Sequence, residues 1–275
     1  MEGTAIWFIP AQEIETSTGT MSILGSIFFG FDNNVNFIGD GYPQGGMNEL
    51  GLCFDGNGLP IISLNPHPEL EETHPDMHLW YEILWKYGNV SEVINYFKTH
   101  YLGDAIGCQT HFADATGDAV VVSGGSDGER AYTCINNSTF LISTNFNLAD
   151  LSNGWFPCLR YSTAYRMLRE ITSEKDLTIK AFRDVLEAVH VDYTRYSNIF
   201  NPVELEIYIY HNHNFDKTVR LNLNQELKKV VLGAPGVRYC NFSNGILEPC
   251  PVENQNRVLV KEIGIAELFD LVETH

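Results

Sequence analysis

Short apolar runs punctuated by turn residues dominate the first sixty positions. Ala5-Ile-Trp-Phe-Ile9 stops at Pro10 and reads as a buried strand, and Ser26-Ile-Phe-Phe-Gly-Phe31 reads as a second, closed by Asp32-Asn-Asn34. Residues 13–20, rich in Ser and Thr, read as a loop, and the Gly/Pro-rich residues 39–46 as a turn region. Leu52-Cys-Phe54 is a third strand on the same reasoning, ended by the turn Asp55-Gly-Asn-Gly58. The period then lengthens. Met77, Leu79, Trp80, Ile83 and Leu84 share one helical face over residues 74–87, and Val93, Ile94 and Phe97 do so over 90–97, with Ser91 as N-cap. Strand signals return at 109–113 and 119–123 around the hairpin turn 114–118, and at 130–135 and 139–144. Helices follow over 161–171 and 178–190, where Ala181, Val185, Leu186 and Val189 share a face; strands close the pattern at 207–210 and 218–223. Past Val231 only a terminal helix over 265–272 stands out.

Blocks of strands and blocks of helices alternate with no βαβ repeat, so sheets packed on sheets with helices outside are expected, in one domain over 1–275. The 275 residues are 44% hydrophobic and 19% charged, a balance that supports a sizeable core. Lys+Arg number 17 against 35 Asp+Glu, for a net charge of −18. Such a surface repels phosphate, which argues against nucleic acid and anionic lipid as partners. No apolar run approaches the ~20 residues that span a bilayer, and the first residues carry no signal-peptide pattern. The compartment stays open, since a signal could lie upstream. The six cysteines include no CxxC pair.

Several stretches resemble one family, the choloylglycine hydrolase and penicillin V acylase group of N-terminal nucleophile (Ntn) hydrolases, which cleave linear amides. Gln44-Gly-Gly-Met-Asn-Glu-Leu-Gly-Leu52 resembles its Gly-x-Asn-Glu-x-Gly-Leu signature, and Phe112-Ala-Asp-Ala-Thr-Gly-Asp-Ala-Val-Val-Val122 its Asp-x-x-Gly hairpin. Ser143-Thr-Asn-Phe-Asn147 is similar to its Thr-Asn element, Arg160-Tyr161 to its Arg-aromatic pair, and residues 193–210 with Leu221-Asn-Leu223 to its C-terminal strands. The match spans about residues 5–230 in family order.

The resemblance implies an α+β fold, a four-layer αββα sandwich of two antiparallel sheets. It also implies covalent chemistry, in which an N-terminal Cys attacks the amide carbonyl with its own α-amine as base. Asn145 Nδ2 would be one oxyanion donor, a backbone N–H near Asn57 or Gly58 the other, and Arg160 would support the nucleophile electrostatically. No cofactor is implied. The partner would be a small-molecule N-acyl amide, with self-association left open. The acyl group and amine also stay open, with a bile acid conjugate, penicillin V, an acyl-homoserine lactone and a peptide-like amide all in play. Loops at 13–24 and 61–73 are the expected source of specificity.

One departure matters. The family's N-terminal Cys and the Gly-Arg-Asn-x-Asp-like segment after it have no counterpart, and Met1-Glu-Gly-Thr-Ala-Ile-Trp-Phe8 aligns with sequence that normally follows that segment. An upstream start, a truncation or an inactive relative would each account for this. The first is expected, because loss of the hairpin leaves a sheet edge unpaired. An inactive acyl-binding or assembly module is the non-enzymatic alternative.

Other residues read as structural. Asn48 and Glu49 are expected to satisfy the backbone of a tight turn. Cys53, mid-strand among apolar neighbours, reads as an inert thiol. His74 with His78, spaced for one helix face, and His211 with His213, alternating on a strand, could suggest metal; solvated or hydrogen-bonded histidines are the stronger reading.

Overall fold

The computed structural model describes residues 4–31, 43–136, 138–229, 238–243 and 246–249. In chain order the strands and helices are β1 (Thr4–Ile9), β2 (Gln12–Thr16), β3 (Gly19–Ile23), β4 (Ser26–Phe31), β5 (Pro43–Asn48), β6 (Cys53–Ser63), β7 (Glu71–Glu72), α1 (Leu79–Lys86), α2 (Val90–Thr99) and β8 (His100–Tyr101). Then come β9 (Ala105–Ala113), β10 (Ala119–Gly124), β11 (Arg130–Cys134), α3 (Leu159–Leu168), α4 (Ile179–Val189), β12 (Tyr196–Asn201), β13 (Glu206–His211), β14 (Asn214–Asn222), α5 (Leu223–Leu227), β15 (Arg238–Ser243) and β16 (Ile246–Pro249).

Nine of these strands form one antiparallel sheet in the order β11-β10-β9-β6-β5-β4-β1-β15-β16, and β12-β13-β14 form a second. Side chains alternate between sheet faces with a period of two. Trp7, Ile9, Phe28, Phe54, Phe112, Val120 and Val122 therefore point to one face, where they pack on Trp80, Tyr81, Leu84 and Trp85 of α1 and Val93, Tyr96 and Phe97 of α2. Ile6, Phe8, Ile27, Phe29, Met47 and Cys53 point to the other, against Ile207, Ile209 and Leu221 of the small sheet. Beyond it, α4 packs on β12 and α3 on α4 through Ala164, Val185 and Ile142. The result is the α+β, four-layer αββα sandwich. Each fully buried large apolar side chain contributes about 1.5–3 kcal/mol, so the aromatic layer under α1 and α2 is a major stabilising element. Its polar tips are matched: Trp7 Nε1 donates to the Tyr81 hydroxyl at 2.7 Å, and Trp85 Nε1 to Ser26 Oγ at 3.2 Å.

Several local expectations need correction. Residues 13–20 belong to the β2–β3 hairpin, where Gln12 pairs with Ile23 and Thr16 with Gly19; the alternation around Ile14 was masked by its polar composition. Residues 43–46 are strand, not turn. A Cβ on Gly46 would lie 2.6 Å from the Ile27 carbonyl, so glycine serves close strand approach there. Asp55-Gly-Asn-Gly58 continues β6 instead of ending it, paired with β9 through Gly58↔Cys108 before a register shift. Helix α1 starts at Leu79 with His78 as its N-cap, so His74 and His78 share no helix face; His74 Nε2 meets Thr18 Oγ1 at 2.9 Å. The N-cap of α2 is Asn89, not Ser91, its side chain accepting from the Glu92 N–H at 3.0 Å. His211 ends β13, while Asn212 and His213 take positive φ in the turn to β14, so the two histidines do not alternate on one strand. Residues 139–144 form no strand. The expected helix at 265–272 lies outside the described residues.

The Gln44–Leu52 signature is a structural knot. Asn48 is fully buried; its Oδ1 accepts from the N–H groups of Leu50 and Leu52, both at 3.1 Å, and its Nδ2 donates to the carbonyls of Leu84 at 2.8 Å and Tyr87 at 2.7 Å. Glu49 Oε1 accepts from the Gly25 N–H at 2.9 Å. Gly51 has φ +88°, and a Cβ there would sit 2.6 Å from the Pro202 carbonyl, so only glycine fits. One side chain thus ties the β5–β6 turn to the end of α1.

Candidate active site

The segment 143–155 follows an irregular path because side chains replace strand pairing. Gln109, fully buried on β9, donates to the carbonyls of Thr144 at 2.6 Å and Phe146 at 2.7 Å, and accepts from the Leu148 N–H at 3.2 Å. Asn147, also fully buried, donates to the Gly124 carbonyl at 2.7 Å. The chain turns back at Gly154, whose φ of +103° and close approach to Phe146 Cα require glycine. Phe146 packs edge-on to Tyr161 of α3. This frame holds Asn145 between two elements.

Asn145 Nδ2 donates to the Gly58 carbonyl at 2.9 Å, and Arg160, in the first turn of α3, donates to Asn145 Oδ1 at 2.7 Å. Asn145 and Gly58, 87 residues apart in the chain, are thus brought together, with Arg160 joined to Asn145. The arginine grips the amide oxygen, which leaves the amide nitrogen facing β6. Asn57 is next to Gly58 on β6 and lines an adjoining cavity; a Cβ on Gly58 itself would meet nothing within 4 Å.

That cavity measures about 400 Å³ and opens between the sheets. Cys53, Asp55 and Asn57 of β6 and His111 and Ala113 of β9 form one wall; Tyr196, Asn198 and Phe200 of β12 and Leu186 of α4 form the other, with Ser143 at the rim. Asp55 is open to the cavity yet hemmed in by protein, and this desolvation, partly offset by the Gly56 N–H, pushes its carboxyl up to about 7. Burial pulls His111 down to about 4, and its Nδ1 lies 3.3 Å from Ser143 Oγ. Burial also raises Tyr196. The Cys53 thiol, 3.4 Å from the Ala113 carbonyl, is pushed up to about 12 chiefly by burial, as befits an inert thiol. Cys158, the N-cap residue of α3, behaves differently. Its partial burial raises it, but the Thr144 hydroxyl, the Tyr161 and Arg160 amides and the Arg160 charge together bring its thiol below the usual range.

Sequence reasoning placed Asn145, Arg160, Asn57 and Gly58 in the site region through the resemblance. It missed Gln109, Asp55, His111 and Tyr196. The signal for Asp55 was available: a period of two carried past Cys53 puts 53, 55 and 57 on one face.

No family model matches the sequence, and no curated protein matches it. Solved structures do. A variant of the conjugated bile acid hydrolase from Clostridium perfringens superposes with a TM-score of 0.65 at 14% identity, covering 88% of this chain and 90% of that one. A cysteine-to-alanine mutant of conjugated bile acid hydrolase from the same organism gives 0.57 at 14%, over 96% and 92%. Penicillin V acylase from Agrobacterium tumefaciens gives 0.56 at 16%, over 88% and 84%. At such identities the likeness is one of fold, and that fold is the one these amide hydrolases share.

Proposed function

We propose that this chain carries the oxyanion cradle of a hydrolase of linear amide C–N bonds, acting on an N-acyl amide through an N-terminal Cys that is not among these 275 residues. The observation that carries the reading is the Arg160–Asn145–Gly58 chain of hydrogen bonds beside an open cavity. An amide nitrogen has two hydrogens. One of those on Asn145 serves Gly58, and the other is the donor for a developing oxyanion. Arg160, by donating to Oδ1, polarises the amide and fixes which end faces the reaction. The attacking thiolate would form an acyl-enzyme and expel the amine, and water would then release the acid. The fold likeness supports the class without naming a substrate.

The test is release of free amine from N-acyl amides by protein expressed with whatever codons precede Met1 in its gene. Substitution Asn145→Ala should lower kcat by about 10²–10³, the loss of one oxyanion donor. A loss below about tenfold removes Asn145 from that role. If the wild type cleaves no amide in a panel of cationic, neutral and anionic probes, the reading falls, and the chain is better described as an inactive acyl-binding or assembly module.

A further inference from the structure

The open cavity lined by Asn57 and Ser143, close in sequence to Gly58 and Asn145, has an unusual charge pattern. Asp55 is its carboxyl, and no Lys or Arg is among the described residues that line it. The other titratable groups facing Asp55 from the surrounding elements are neutral near pH 7: His111 on β9, held down near 4 by burial, Tyr196 on β12, raised by burial, and Cys53 on β6 itself, raised to about 12. Strand β5 contributes Gly45 beside the carboxyl, and α4 contributes Leu186. The nearby cation, Arg160, is engaged with Asn145 Oδ1. A ligand carboxylate entering this space would lose water and find no counter-charge, whereas an ammonium would find one. Asn57, Ser143 and Asn198 add neutral donors and acceptors around it.

We propose that this cavity is the subsite for one end of the substrate and that Asp55 makes it select an ammonium-bearing group and reject an anionic one. The proposal rests on the amide-hydrolase reading only for the nature of the ligand, a small amide; the charge selection follows from the cavity wall. It separates this chain's preferred substrate from acidic amides such as penicillin V. Because Asp55 loses its proton around pH 7, selection sharpens as pH rises through that value, while an alkylammonium stays charged throughout.

Three near-isosteric amides of phenylacetic acid test this: the 2-aminoethyl amide, a cation; the propyl amide, neutral; and the glycine amide, an anion. Dissociation constants are read by titration calorimetry in the Asn145→Ala background, so that turnover does not consume the probes. At pH 8 the cation should bind about tenfold or more tighter than the propyl amide, with the glycine amide weakest; at pH 5.5 the cation's advantage should shrink to about threefold or less. Asp55→Asn, nearly isosteric, should remove that pH dependence, and the wild-type side chain's two-pH comparison stands even if the variant folds poorly. Equal binding of cation and anion at pH 8, a pH-dependent preference that survives Asp55→Asn, or no binding of any probe overturns the proposal. Binding in the proposed order without hydrolysis by the wild type sinks the hydrolase reading alone; hydrolysis with no charge order sinks this one alone.

Discussion

Two asparagines on resemblance-bearing motifs are held in opposite ways. Asn48 sits in a closed environment, with both ends of its amide saturated by four backbone partners. Asn145 has one bond to backbone and one to an arginine, and stands half-buried beside a cavity. The first arrangement welds a turn to a helix end and leaves no valence for a ligand. The second fixes orientation while keeping donor capacity. A motif residue's role is therefore legible from how many of its hydrogen-bonding positions the fold already occupies.

The contrast can be broken first at Asn48. Asn48→Ala unpairs two carbonyls and two N–H groups, the Leu84 carbonyl and the Leu52 N–H among them buried, and should cost about 3–5 kcal/mol of unfolding free energy, read as a fall in the urea midpoint. A loss below about 1 kcal/mol would show that water or repacking replaces the knot. The same change at Asn145 should cost about 1 kcal/mol or less in stability, since water reaches the freed groups, while activity falls as described above. Arg160→Lys sharpens the comparison further. It keeps a charge but loses the planar grip on Oδ1, so kcat should drop by about tenfold with the urea midpoint nearly unchanged. Unaltered kcat would mean that Asn145 needs no orienting partner. The last is a pH effect. Asp55 is raised in the folded state from 3.8 to about 7, so the fold binds its proton more tightly than the unfolded chain does. Stability from this group is full below about pH 4 and is lost as pH rises through 7; Asp55→Asn should flatten that part of the stability–pH curve. An identical curve in the variant would assign the slope to other groups.

The elements legible in sequence were those whose burial is recorded in composition. β1 and β4 are nearly continuous apolar runs because both faces are covered, and α2 and α4 keep a clear stripe. β5 was hidden because close strand approach selects glycine, which mimics a turn. β6 was cut short for the same reason, and with it went the placement of Asp55 and Asn57. Residues 139–144 read as strand because Phe140, Leu141 and Ile142 are apolar, yet they pair with no strand, and the backbone beyond them is held by Gln109 at the Thr144 and Phe146 carbonyls. Asn145 and Arg160 were visible through the resemblance; the pairing of one with the other, and the wall of Asp55, His111 and Tyr196, arise from contacts between residues far apart in the chain.

The placement of the four tryptophans has a spectroscopic consequence. Trp7 of β1 and Trp80 and Trp85 of α1 are buried between that helix and the large sheet, whereas Trp155 is 70% exposed and its backbone N–H donates to the Asn145 carbonyl. Three indoles should emit at short wavelength and ignore quenchers, while the fourth, on a residue whose backbone is tied to Asn145, emits red-shifted light. The chain thus carries its own fluorophore for ligand arrival, and a Trp155→Phe variant supplies the dark control.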